Sequence, residues 1–492
     1  MYYIGISAGF HDASISVIAG GKILFAGHSE RYSKIKNDKN LHPRLVEDAL
    51  SYVKGDYELH YYENPTLKYL RQLRAGQNPR FNTLFAKNII GKDIHNMLYN
   101  KKIHTHSHHL THAAAGFQTS GFVDATIVVI DAIGEFDTIS IWDARYTSKG
   151  PKYKKLWSQK YPNSIGLFYS AMTKRVGLKP NEEEYILMGM SAYGDPKYYA
   201  QMHQDMLSYS VDLEFNDNLH LGVSETYMQD ADKMDIAASS QVLAEQLIYN
   251  VMQRARILGH SRNLVYGGGV ALNCVANQHL GKHFEHIWIM PNPGDAGSSL
   301  GAAALGFNYR VNWNNAFLGY NIEGKYPTNK ALDALLRGEI IGIASGRAEF
   351  GPRALGNRSL LADPRGNEIK DRVNEIKRRQ KFRPFAPVIL EEYANKYFSM
   401  PSGFDNSRYM QSVAKCRYPD LFPAIVHVDG TSRVQTVPDD GSGIRELLEK
   451  WYVMTECPML LNTSLNIRGE PMVNDKGDAR RFEKLYGIKV YT

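Results

Sequence analysis

The stretch His104–Asp137, HTHSHHLTHAAAGFQTSGFVDATIVVIDAIGEFD, sets a cluster of histidines ahead of a small-residue segment and a β-branched run, Ala125–Ile130, that ends in Asp131. The small residues predict a helix and the β-branched run a buried strand. His108 and His112 are four residues apart, so on a helix they share one face, where two imidazoles can hold one metal ion. Asp131, at the carboxyl end of the strand, offers an oxygen ligand. A His-rich surface turn followed by a core strand would have the same composition. Position 109 is His rather than Glu, so the zinc-peptidase pattern, which needs a glutamate base after its first ligand, is absent.

Outside this stretch, 492 residues are too many for one hydrophobic core and predict two or three domains. Hydrophobic residues make up 43% and charged residues 22%, the balance of an ordinary folded chain. No apolar run is long enough to cross a bilayer, which needs about 18 residues or more, so no membrane partner is expected. The opening MYYIGISAGF lacks a basic n-region and reads as a strand entering a glycine turn, not a signal peptide. Cys274, Cys416 and Cys457 form no CxxC pair, which fits a reducing cytoplasm.

The net charge of +7 is unevenly spread. Residues 64–112 carry eight Lys/Arg against the single acid Asp93, and residues 145–180 carry nine and no acid. Tyr146, Tyr153, Trp157 and Tyr161 interleave with the second group. Basic residues mixed with aromatics can hold phosphates and stack on bases, so nucleic acid is one partner to consider; a solvated basic face is the other reading.

Residues 2–26 read as a hairpin whose first turn, Gly9-Phe10-His11-Asp12, presents backbone amides and His11. Helices are predicted at 43–54, 164–176 and 235–258, with a peripheral insertion at 195–232. NLVYGGGVALN then gives a strand, the glycines Gly267, Gly268 and Gly269, and a helix start, where backbone N–H groups can approach an anion. A tight turn would need the same glycines. In HIWIMPNPGDAGSSLGAAALGF a strand at 287–290 leads to Asp295 beside a glycine-rich helix start, which suits a metal or a helix N-cap. Residues 306–338 lose periodicity and read as a linker. Beyond it, Arg347, Arg353, Arg358 and Arg365 fall within nineteen residues, followed by Lys377, Arg378, Arg379, Lys381 and Arg383. Such Gly/Pro-punctuated spacing suits a phosphate pocket better than a helix face. A last strand runs into Asn462, Thr463, Ser464 and Asn466, a group able to orient a small polar ligand.

GISAGFHDAS, HHLTHAAAGF, VVIDAIGE, YGGGVALNCVAN, NPGDAGSSLGAA, EFGPRALGNRSLLADPR, FRPFAPV and LLNTSLNIRGEP, in this order, span nearly the whole chain. Together they resemble the O-carbamoyltransferase family of the nodulation-factor and tobramycin enzymes. The resemblance implies an α/β protein. Residues 1–322 would form an actin-like (ASKHA) metal-binding carbamoyl-transfer domain related to the tRNA threonylcarbamoyl-transfer enzymes. Residues 323–492 would form a smaller α/β domain, like the synthases of threonylcarbamoyl-AMP, that makes carbamoyl-adenylate from carbamoyl phosphate and ATP. It implies His108, His112, Asp131 and Asp295 as metal ligands, iron(II) as the metal, magnesium with the ATP, and His11 as the base that activates the acceptor hydroxyl. Gly267, Gly268, Gly269 and Asn273 would touch nucleotide, while Arg353, Arg358, Lys377, Arg383, Ser464 and Asn466 would bind carbamoyl phosphate and ATP. One departure is Gln380-Lys381 ahead of FRPF, where many members carry an acid.

The signature fixes the donor better than the acceptor. A sugar or antibiotic hydroxyl is the family default. The hydroxymethyl group of 5-hydroxymethylcytosine, in a nucleotide or in DNA, would give the basic stretches a use. An actin-like ATP-dependent binding module without transfer chemistry explains the hairpin and glycine turns but not the arginines. Threonylcarbamoyl transfer to tRNA fits the fused domain order less well.

Overall fold

The computed structural model describes all residues except 209, 211 and 367. Its first sheet is built from β1 (Tyr2–Ser7), β2 (Ser14–Ala19), β3 (Lys22–His28), β4 (Tyr57–Tyr61) and β5 (Ile103–Thr105), in the order β3-β2-β1-β4-β5. β1, β2 and β3 form an antiparallel meander, and β4 and β5 add in parallel. The second sheet contains β6 (Asp124–Ile130), β7 (Asp137–Thr147), β8 (Gly150–Lys160), β9 (Asn263–Gly267) and β10 (His286–Trp288), in the order β10-β9-β6-β7-β8. There too a meander is followed by two parallel strands. The two sheets are one topology repeated, the duplicated arrangement of actin-like folds.

Each unit ends in a helix that covers the other unit's sheet. His108–Thr119 follows β5 but packs Gly116 on Val265 of β9; Ser298–Phe307 follows β10 but packs Ser299 on Gly5 of β1. Where these helices cross, a side chain at Gly301 would stand 1.9 Å from the Thr111 carbonyl, so only glycine permits the approach. The crossing lays the start of the histidine helix beside Asp295 and the end of β6. The predicted helices appear as Pro43–Ser51, Ile165–Arg175 and Lys233–Leu258. Their starts are explained locally: Ser164 accepts the Leu167 N–H and Asp232 that of Met234.

Beyond residue 340 a six-stranded sheet runs in the order 435–437, 386–390, 459–464, 358–362, 341–344, 490–491. Buried Leu360, Leu361, Val388, Ile389, Leu460 and Leu461 form its centre. Residues 306–338 are not a linker. They contain strand Phe317–Ile322, paired antiparallel with Gly346–Glu349, and helix Thr328–Leu336 with Ala331, Ala334 and Leu335 buried. The strand escaped the periodicity reading because its register shifts between Phe317 and Asn321, which breaks the alternation of faces. The insertion at 195–232 is not wholly peripheral either: Met202, Met206, Phe215 and Leu219 are buried with the second sheet's core, while residues 209 and 211 lie outside the described residues. No helix among the described residues is long and apolar enough to cross a membrane.

Candidate functional site

His108 opens its helix because Glu135, in the β6–β7 connection, accepts its backbone N–H at 2.9 Å. His112 lies one turn on, and Asp131 follows the last residue of β6. Asp295 opens the short turn ahead of Ser298–Phe307. All four side chains are buried, with one ligand atom from each lying within 4.8 Å of the others. His108 Nε2 is 2.9 Å from Asp131 Oδ2 and 3.4 Å from Asp295 Oδ1. His112 Nε2 is 3.7 Å from Asp131 Oδ2 and 3.4 Å from Asp295 Oδ1. The two imidazole Nε2 atoms face each other at 3.1 Å, a contact at which only one can donate. Two neutral imidazoles and two carboxylates are a donor set for a divalent first-row ion, and the residues present fit one. Ser298 Oγ, 3.2 Å from His112 Nδ1, and the Gly269 N–H, 3.1 Å from Asp131 Oδ1, hold two of the four from behind.

Burial disfavours every charge here, yet the partners prevail. Asp295 and Asp131 push the His108 pKa well above its ordinary value, and hydrogen bonds to both carboxylates raise His112. Against the same burial, His108 and His112 hold Asp131 well below the usual carboxylate range. His109 points the other way, onto Ser140 Oγ at 2.7 Å, and burial pushes its pKa down to about 3, so it is a neutral core residue. His11, in the β1–β2 turn, is 29% exposed. Its Nδ1 lies 2.9 Å from Asp12 Oδ2 and its Nε2 3.7 Å from Asp295 Oδ2. Burial resists protonation, but Asp295 and Asp12 raise its pKa to about 9.

The glycines lie beside this cluster. Gly268 has a φ of +87°, and a Cβ there would stand 2.2 Å from the Ile130 carbonyl oxygen. The Gly267 position faces His112. Asn273 exchanges two 3.1 Å hydrogen bonds with Gln241. The anion that receives the Gly269 amide is the Asp131 carboxylate.

A second cluster assembles in the C-terminal part. Lys377, 4% exposed, donates to the Ser464 carbonyl at 2.5 Å, Ser464 Oγ at 3.1 Å and Asn466 Oδ1 at 2.8 Å, so three expected residues meet. Burial together with Arg379 and Arg383 presses the Lys377 pKa well below normal. Burial and Arg433 do the same to Arg353, and Arg433 and Arg468 also act on Arg383. Arg383 stacks on Tyr185 at 4.9 Å, and Arg468 reaches Glu183 at 2.6 Å. A helix of the N-terminal half, Glu184–Met190 with the residue before it, therefore supplies one wall.

Arg358 departs from the expectation. It is fully buried, and its guanidinium donates to the carbonyls of Asn474, Ser345, Gly346, Asn357 and Tyr320 at 2.9–3.2 Å, which leaves no N–H for a phosphate. Arg347 donates to the Leu24 carbonyl at 2.7 Å and Arg365 pairs with Asp363 at 2.8 Å. Of the four clustered arginines only Arg353 joins the cationic site. Arg433 and Arg468 were missed because each stands alone in sequence; Arg379 was visible in the basic run but not singled out.

The expected stacking surface at 145–180 is largely built into the core. Tyr146 stacks on Phe117 with ring centroids 5.0 Å apart, Tyr153 donates to Gln118 Oε1 at 3.0 Å, and Trp157 lies under Arg254 at 4.5 Å. Lys155 and Lys160 both bind Asp137. Each of these three aromatics is packed against or bonded to the protein's own side chains.

The sequence matches the family descriptions Carbamoyltransferase N-terminus over residues 2–304 and Carbamoyltransferase C-terminus over residues 332–491. An uncharacterized protein of Synechocystis sp. is 32% identical, covering 98% of this chain and 94% of that protein. Nodulation protein NolNO of Sinorhizobium fredii is 30% identical, covering 95% and 76%, and nodulation protein NolO of Bradyrhizobium diazoefficiens is 33% identical, covering 76% and 75%. Two paired family matches over a duplicated fold with one buried His/Asp cluster make this chain a member of the carbamoyltransferase family, an enzyme that transfers carbamoyl groups.

Proposed function

We propose that carbamoyl transfer here runs in two steps at two sites. Residues 323–492 make carbamoyl-adenylate from carbamoyl phosphate and ATP, and residues 1–322 pass the carbamoyl group to an acceptor hydroxyl. The observation that carries this reading is the cationic cluster: burial, and then the neighbouring guanidiniums of Arg379, Arg383 and Arg433, lower the pKa values of Arg353, Lys377, Arg379 and Arg383, while the carboxylate of Glu183 is taken by Arg468 at its rim. Cations gathered without neutralising acids call for anionic ligands, and two phosphate-bearing substrates provide them. Mass balance requires that water release phosphate from carbamoyl phosphate, that the carbamate oxygen attack the α-phosphorus of ATP, and that pyrophosphate depart; magnesium bound with the ATP would offset the charge on that leaving group.

In the second step the acceptor oxygen attacks the carbamoyl carbon and AMP leaves. His11 is placed to take the hydroxyl proton on Nε2, since Asp12 holds its Nδ1. His108, His112, Asp131 and Asp295 would hold the metal, iron(II) on our reading. When bound, it would neutralise the carboxylates that raise His11 and offer positive charge to the leaving phosphate. Gly267, Gly268, Gly269 and Asn273 line the adenylate's approach. The acceptor is a hydroxyl compound of the sugar class; a hydroxymethyl pyrimidine is retained as an arm of the test. The three cysteines are free and buried, in keeping with a reaction in the cytoplasm.

The test is carbamoyl transfer from isotopically labelled carbamoyl phosphate, with ATP, to sugars, aminoglycosides, hydroxymethylcytosine nucleotide and DNA. Pyrophosphate release that depends on carbamoyl phosphate is expected, with label on a sugar hydroxyl. Transfer without ATP, or no pyrophosphate release, would refute the adenylate route. Label on DNA alone would refute the sugar-class acceptor.

A further inference from the structure

The helix Pro65–Arg74 is laid down against its own amphipathicity. Leu67, Leu70 and Leu73 are 41%, 49% and 47% exposed, whereas Arg71 is 6% exposed. Surface helices ordinarily bury their leucines and leave arginine in water. The inward face of this one is basic: Lys68 donates to Glu63 Oε1 at 2.7 Å, and Arg71 lies 5.7 Å from the Tyr161 ring. Arg71 Nε and Nη1 are buried and have no hydrogen-bond partner. The Tyr161 ring stabilises the cation without neutralising it, and Glu63, which favours the Arg71 charge from nearby, gives its hydrogen bond to Lys68 and none to Arg71. An arginine buried with two idle donors is unfavourable unless a ligand completes it.

Its position ties it to the transfer site. The Asn64 N–H that precedes the helix and the His108 N–H donate to the same Glu135 Oε1, at 2.8 and 2.9 Å. The Tyr161 N–H donates to the Phe136 carbonyl at 2.8 Å, so one loop anchors both sides. Phe10 lies against His11 with ring centroids 4.7 Å apart, and Lys68 stands over Phe10 at 5.4 Å. The Tyr161 hydroxyl receives Asn218 Nδ2 at 2.8 Å and lies 3.3 Å from His220 Nδ1. Burial and then Arg71 lower the His220 pKa, which disfavours a second positive charge there. Arg71 and Tyr161 come one from each of the two basic stretches, which meet here on the His11 side of the His/Asp cluster.

We propose that Arg71, with Lys68 and Tyr161, is the recognition site for an anionic group, a carboxylate or a phosphate, carried by the hydroxyl-bearing acceptor. The proposal rests on the transfer reading and names its acceptor class. A guanidinium with free N–H groups recognises an oxyanion through charge-assisted hydrogen bonds. A polycationic acceptor such as an aminoglycoside would be repelled, and a neutral sugar would leave the buried donors idle.

The experiment is calorimetric titration of the full chain with glucuronate, glucose 6-phosphate and glucose, repeated on Arg71→Met and Arg71→Lys. Both anionic sugars are expected to bind at least about tenfold more tightly than glucose, with that advantage lost in Arg71→Met and partly kept in Arg71→Lys. Removal of an unpaired buried charge does not threaten folding, and Arg71→Lys guards against a packing artefact. Equal binding of glucose, no binding of either anion, or anion binding indifferent to Arg71 would each overturn the proposal. Pyrophosphate release on the same preparations reports on the adenylate route separately, so a failure there leaves the titration decisive.

Discussion

The His/Asp cluster balances its own charge, whereas the arginine cluster does not. In the first, two imidazoles and two carboxylates within 4.8 Å stabilise each other's charged forms even without an ion. In the second, Arg353, Lys377, Arg379 and Arg383 destabilise one another and await anions. The difference teaches what each can do. A balanced, rigid cage suits a resident ion that is present throughout turnover. An unbalanced pocket suits anionic substrates that come and go, which is the duty proposed for it.

Changes at the cage give the largest expected effect. His112→Ala removes one of the four proposed ligands, and transfer should fall roughly a thousandfold with loss of bound metal, measured by elemental analysis beside labelled transfer. Next comes the pocket: Arg433→Met should slow pyrophosphate release by about a hundredfold and raise the KM for carbamoyl phosphate, as a lost charge-stabilising donor does. Unlike those two, Arg358→Met should act on folding, since it removes the guanidinium's hydrogen bonds to five backbone carbonyls. A loss of roughly 3–5 kcal/mol in denaturant unfolding is expected, and a change confined to KM would make Arg358 a ligand after all.

How far these sites could be read from sequence follows from how they are built. His108 and His112 share a helix face by their spacing and Asp131 stands where a buried strand ends, so local pattern pointed to these three; Asp295, which could equally have been a helix N-cap, joined them only through the family resemblance. The arginine pocket is gathered from residues 353, 377–383, 433 and 468, with Tyr185 from the other half of the chain. Only the runs dense in charge announced it. Arg358 was misread for a physical reason: arginine-rich composition does not say whether a guanidinium meets a phosphate or five carbonyls. The duplicated sheet topology was legible only through the resemblance to an actin-like family, because repeated strand order leaves no repeated residues. The linker at 306–338 failed because a shifted register hides a strand's alternation.

The smallest effect concerns pH. Lys377 has its folded pKa lowered from 10.5, first by burial and then by Arg379 and Arg383. Its charged form is therefore disfavoured in the fold, and the penalty shrinks as pH rises towards 10.5. The stability gap between wild type and Lys377→Met should drift in favour of wild type across that range. Pyrophosphate should flatten the drift by supplying the missing negative charge, whereas a drift of opposite sign would mean that the pocket is already neutralised. Unfolding curves at a series of pH values, with and without pyrophosphate, measure it.

The most direct test of two sites with separate duties measures pyrophosphate release and carbamoyl transfer side by side, with magnesium present, in wild type, His112→Ala and Arg433→Met. The expected result is that His112→Ala releases pyrophosphate but transfers roughly a thousandfold more slowly, while Arg433→Met is slowed in both. If His112→Ala loses pyrophosphate release along with transfer, the His/Asp cluster takes part in activation and the division of labour between the two clusters is contradicted.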